Sequence, residues 1–153
     1  MKKVLAPVLT GCLIAAALYL SYRREHALSE GPESAVWRIL EESKAGNVAG
    51  YLDCFAGKTR EQLESTAMGM TRPAFSDYLK KSSAGVKGVA VYEIRPVDKG
   101  HATLTVEYVF ENQNERQRLN LRFDQGRWRV ESTEGSQHVQ PLVPYGKPVT
   151  DLQ

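Results

Sequence analysis

Apolar positions follow three different rules along this chain, and the rule changes twice. From Val4 to Leu20, "VLAPVLTGCLIAAALYL", seventeen consecutive residues carry no charge. From Glu33 to Gly85 apolar residues return every three or four positions, the spacing of one helical face. From Val86 onward they return every second position, the spacing of strands. The helical part divides at its breakers. Glu33 to Ala45, "ESAVWRILEESKA", follows a Pro32 suited to a helix start and sets Val36 and Leu40 on one face, with Trp37 and Ile39 beside them. Gly46 ends that helix, and Asn47 caps a short one from Val48 to Phe55. Thr59-Arg-Glu-Gln62 reads as a capping box that opens a third helix towards Met70. Thr71-Arg-Pro73 opens a fourth, with Phe75, Tyr78 and Leu79 at helical spacing and Gly85 at its end.

The second half predicts four strands. Val86 to Val97 is apolar on both faces except at Glu93, which predicts a central strand. After the turn Asp98-Lys-Gly100, Ala102, Leu104, Val106, Tyr108 and Phe110 alternate with Thr103, Thr105, Glu107 and Val109. Beyond Asn112-Gln-Asn114, Leu119, Leu121 and Phe123 alternate with Arg118, Asn120 and Arg122. Asp124-Gln-Gly126 turns the chain once more, into Trp128 and Val130 between Arg127, Arg129 and Glu131. Helices followed by an antiparallel meander define an α+β domain whose helices cover the apolar face of the sheet. The opposite face carries Glu107 among Arg118, Arg122, Arg127 and Arg129. Near-balanced charges there favour cross-strand ion pairing in solvent over a docking surface for an acidic partner or a second copy.

The uncharged run sets the location. As a helix it reaches about 26 Å, and Ser21 and Tyr22 lengthen it towards a bilayer core. Three readings compete. A cleaved secretory peptide needs a small-residue site soon after the run, yet Arg23-Arg24-Glu25-His26 precede the weak candidate Ala27-Leu28-Ser29. Leu9-Thr-Gly-Cys12 resembles a bacterial lipobox, but Leu13 to Leu20 stays apolar where a polar tether belongs. An uncleaved single-pass anchor over residues 4–22 accounts for the whole run and both charged flanks, and is the reading preferred. Lys2 and Lys3 balance Arg23 and Arg24, so the flanks do not set orientation; the short N-terminal tail places the domain on the non-cytoplasmic side. The expected organisation is therefore anchor and flanks over residues 1–30, one domain over 31–136, and an extended Pro-containing tail over 137–153.

Charge and cysteine content narrow the partners. The excess of +2 belongs to the first thirty residues; the remainder carries sixteen basic and sixteen acidic side chains. A neutral domain without a basic stripe argues against nucleic acid. Cys54, beside Leu52 and Phe55, reads as a small buried apolar residue with no cation next to it in the chain. His26, His101 and His138 stand apart with no ligand-spaced acids, and Gly85-Val-Lys-Gly88 lacks the form of a phosphate loop, so no metal or cofactor is expected.

The helix beginning Pro32-Glu33, the block "GNVAGYLDCFAG" (residues 46–57), the helix "FSDYLKK" and the meander ending "GRWRVES" together resemble nuclear transport factor 2-like domains, particularly small bacterial membrane-anchored members. The tail "PLVPYGKPV" is similar to the ending of the same bacterial group. The resemblance implies a cystatin-like cone, a curved antiparallel sheet wrapped around helices. It includes ketosteroid isomerase, scytalone dehydratase and limonene-epoxide hydrolase, as well as many members without catalysis. In the enzymes a carboxylate or His–Asp base works inside the cone with Tyr or Asp donors. Groups available here for such work are Asp53, Glu93, Tyr51, Tyr78, Tyr92 and Tyr108. Glu93 interrupts an apolar strand and is the best-placed carboxylate; Asp53 and Tyr92 are the other candidates. No catalytic set is assigned. The expected function is a non-enzymatic, membrane-anchored domain that binds a protein partner, a second copy or a small apolar ligand. The alternative is a small isomerase, dehydratase or hydrolase with a carboxylate base and a Tyr donor.

Overall fold

The structure, a computed structural model, describes residues 31–139. The apolar run of residues 4–22 and the tail beyond Val139 lie outside the described residues. Among those described, no helix is long and apolar enough to cross a membrane. Four helices precede four strands: α1 (Ser34–Ala45), α2 (Val48–Asp53), α3 (Gly57–Met68), α4 (Arg72–Ala84), β1 (Gly88–Pro96), β2 (His101–Val109), β3 (Asn114–Asp124) and β4 (Arg127–Val139).

Local chemistry sets most of these boundaries. Gly46 closes α1 in the left-handed region at φ 66°, and the Asn47 amide reaches back to the Glu42 carbonyl at 3.0 Å. A side chain at position 46 would strike Ser76 and Lys80 of α4, so the glycine also lets two helices approach. The Ser76 hydroxyl donates to the Gly46 carbonyl at 2.7 Å across that contact. Asn47 caps α2 through the Gly50 amide, and Thr71 caps α4 through the Ala74 amide. The capping box expected at Thr59 does not form. Helix α3 begins two residues earlier, at Gly57, and the Thr59 hydroxyl instead donates to the Glu131 carbonyl at 2.6 Å. The sheet edge outcompetes the local cap, because Ala56 is already pinned to β4: its amide donates to the Val130 carbonyl, and the Val130 amide donates to Cys54.

The strands form one antiparallel sheet in the order β1-β2-β3-β4, curved and covered on one face by the helices. This α+β arrangement is compatible with the cone that the resemblance implied. Gln125 and Gly126 both take positive φ, the two-residue hairpin turn suited to strand twist. Leu104, Val106, Leu119, Leu121 and Val130 pack against Ala35 and Val36 of α1 and against Cys54 and Phe55. Phe75 and Leu79 bury the α4 face, where Phe75 meets Tyr51 edge-on at 6.3 Å and stacks on Tyr78.

One expectation about the sheet is overturned. The strand apolar on both faces, β1, is an edge strand and not a central one. A meander laid down in chain order puts its first strand on a flank. Val89 and Val91 pack on the core, while Ile94 and Val97 stand exposed.

Candidate functional site

Alternation along β1 assigns Glu93 to the core side, with Val89 and Val91. A bulge removes it from there. Between the pairs Tyr92–Thr105 and Arg95–Thr103, two residues of β1, Glu93 and Ile94, stand opposite the single Leu104 of β2, and Glu93 adopts φ 52°. Its carboxylate is carried to the uncovered face, where the Thr105 hydroxyl donates to it at 2.9 Å. Two further bulges lie in β4, one inserting Glu131 and one centred near Gly135 at φ 62°. All three extra residues lie on the two outer strands, so the outer strands bend relative to the inner pair.

The uncovered face holds an open groove of about 470 Å³ lined by Tyr92, Glu93, Thr105, Arg118, Glu134 and Gln137, among others. A second hollow of about 150 Å³ shares Glu93, Thr105, Arg118 and Glu134 with it and extends to Arg95 and Asn120. Along one side the groove is fixed by Glu107. That carboxylate accepts from the Tyr92 hydroxyl at 3.1 Å, from Asn114 at 2.7 Å and from Arg116 at 2.9 and 3.1 Å. The Arg116 and Asn114 hydrogen bonds hold its carboxyl below the usual carboxylate range. The Arg116 guanidinium also lies 5.7 Å from the Tyr92 ring centre. On the other side Asn120 donates to Ser132 at 2.8 Å and to Glu134 at 2.7 Å.

Asp53 belongs elsewhere. At the end of α2 its carboxylate accepts from Arg127 at 2.5 Å and from Arg129 at 2.9 Å, with Arg60 3.7 Å away. Arg129 is buried, at 4 % exposure, and also donates to the Asp53 and Asp124 carbonyls, both at 2.9 Å. Desolvation raises the Asp53 carboxyl, but the Arg129 hydrogen bond and the fields of Arg129, Arg127 and Arg60 outweigh it, leaving the group below its ordinary value. A carboxylate so placed is a weak base, and it ties α2 to the β3–β4 hairpin.

The remaining candidates separate in the same way. Tyr51 is packed in the core, where burial, then the neighbouring Tyr78 and Tyr108, push its hydroxyl up to about 12. Burial likewise raises Tyr108. Tyr78 is exposed on α4. Cys54 is wholly buried, as its apolar neighbours predicted, with its thiol 3.2 Å from the Gly50 carbonyl. Burial pushes that thiol up, against the pull of Arg38, a cation adjacent in space and not in sequence. Of the named residues, then, only Glu93 and Tyr92 share a groove. Their groove partners Thr105, Arg116, Glu134 and Gln137 were not singled out as site residues. Glu134 and Gln137 lie in a polar stretch beyond the last apolar strand residue, and the one local signal for them was the Gly135 that permits the bulge. Among the described residues no three His, Cys, Asp or Glu side chains gather as metal ligands. No protein-family model matches the chain, and a search of curated proteins finds no relative.

Proposed function

We propose that this chain is a non-catalytic binding domain of the nuclear transport factor 2-like type, tethered to a membrane by residues 4–22, which receives its partner on the uncovered face of the sheet. The observation that carries this reading is the division of labour among the ionisable groups. Asp53 is spent on a structural arginine pair, and Glu93 stands exposed to solvent in an open groove. General-base catalysis draws on a carboxylate sheltered from water, with a donor facing it. An open polar groove of this size is instead suited to holding a ligand or a chain segment. Tethering raises the local concentration of such a surface beside other membrane components.

The enzymatic reading has one observation in its favour, that Tyr92 and Glu93 line the same groove. Against it, the Tyr92 hydroxyl is already given to Glu107. The test is site-specific photo-crosslinking of the full-length chain in its native membranes. A photoreactive residue at Gln137 or Thr103, on the uncovered face, is expected to give discrete adducts, and one at Glu61 on the outside of α3 is expected to give none. Adducts from α3 alone, or from neither face, overturn the reading.

A further inference from the structure

The charges in the groove fall into two classes, those already paired and those left open. Glu107 and Arg116 satisfy each other. Arg118 on β3 and Arg95 on β1 have no hydrogen-bond or ion-pair partner among the described residues, although carboxylates stand in the same hollow. Each of those carboxylates receives a single hydrogen bond from a neutral donor: Glu93 Oε2 from Thr105, and Glu134 Oε1 from Asn120. The face therefore presents separated open cations and half-open anions. A polyanion would meet Glu93 and Glu134, and a polycation would meet Arg95 and Arg118. A neutral ligand would leave both signs unanswered. What answers both is a molecule carrying one charge of each sign.

The spacing narrows its size. Thr105 is paired with Arg118 across the β2–β3 ladder and with Tyr92 across β1–β2, so Glu93 and Arg118 stand on strands two apart. Strand spacing separates their backbones by about 10 Å, and inward-leaning side chains shorten that gap. An extended dipeptide spans about 7 Å from ammonium to carboxylate. We infer that the groove binds a small zwitterion of the short-peptide class, its carboxylate on the Arg118 guanidinium and its ammonium on the Glu93 carboxylate that the bulge turns outward. The Thr105 hydroxyl oxygen lies between them as an acceptor for the peptide amide. Planar two-point contact with a carboxylate is the geometry that guanidinium groups favour. A non-glycine residue held at positive φ, where other residues are rare, gives that carboxylate its place.

This inference rests on the proposed binding role and names the ligand chemistry for the same face. The test uses the full-length chain in detergent micelles and follows the side-chain Nε–H resonances of its arginines by NMR during titration. Alanyl-alanine is expected to shift the Arg118 resonance saturably. Its C-terminal amide and its N-acetyl derivative are each expected to bind about tenfold more weakly or worse. R118Q is expected to lose binding by a similar factor. E93Q is expected to weaken alanyl-alanine but not the N-acetyl form, and E134Q, beyond the ammonium contact, to change affinity less than either. Circular dichroism and thermal melting confirm that each variant is folded. Equal binding of alanyl-alanine and its amide, unchanged affinity in R118Q, or no saturable shift at tens of millimolar overturns the inference. If alanyl-alanine fails while crosslinks from Gln137 persist, only the ligand assignment falls. If both fail, the binding role falls with it.

Discussion

The two faces of one sheet are made from the same two inner strands, residue by alternate residue, and they do opposite work. On β2, Leu104 and Val106 disappear beneath the helices while Thr103 and Glu107 look outward. On β3, Leu119 and Leu121 are buried while Arg116, Arg118 and Asn120 line the groove. Each large aliphatic side chain on the covered face contributes about 2 kcal/mol by leaving water. An exposed ion pair on the other face contributes a few tenths of a kcal/mol. Stability is therefore concentrated on one side and chemistry on the other, and the two can be altered separately.

The sharpest way to break this contrast is in the core. Leu104→Ala is expected to destabilise the domain by about 3 kcal/mol, read as a lower midpoint in urea unfolding. A loss below about 1 kcal/mol would mean the covered face is loosely packed. Next in size is Arg129→Ala. Arg129 is a charged residue in line with the polar face and yet buried, so it should behave as core. Removing it leaves Asp53 facing Arg127 and Arg60 alone, and a loss of about 2 kcal/mol is expected.

The same cluster makes a pH prediction. The Asp53 carboxyl is lower in the folded chain than its ordinary 3.8, so its contribution is complete above that value and disappears as pH falls through the folded one. Acid unfolding of the native chain should steepen below about pH 4, and Asp53→Asn should flatten that limb. Tyr51 works at the other end. Its hydroxyl is raised from 10.0 to about 12, so the stability of the neutral form is complete below pH 10 and is lost as pH rises towards 12. Tyr51→Phe is expected to unfold at higher pH than the native chain, followed by tyrosinate absorbance. The smallest effect should come from Arg118→Gln, which is expected to move the urea midpoint by less than the equivalent of about 0.5 kcal/mol. A large loss there would show that the groove face also carries the fold.

The order and type of the elements were legible because periods of three-to-four and of two are imposed by burial on one side. Turn residues such as Gly46 and Gln125-Gly126 marked the boundaries for steric reasons visible in any sequence. The placement of β1 was not legible. Ile94 and Val97 read as buried because apolar residues normally are, whereas the bulge before them turns that end of the strand into solvent. Thr59 misled for a related reason: a local cap is weaker than a contact with a strand seventy-two residues away. Glu93 was noticed as an interruption, yet its direction depends on one backbone angle that alternation does not encode. Asp53 stood out as a carboxylate near apolar residues. Its two arginine partners lie more than seventy positions on, beyond any pattern of local spacing.

The flanks of the sheet carry a last consequence. On one side the Cys54–Ala56 segment occupies the backbone of β4 at Val130; on the other, the Glu93 bulge and Pro96 interrupt β1. Neither margin offers an incoming strand an unbroken row of amide and carbonyl groups. Copies of the domain brought close together can thus lie side by side without pairing strand to strand.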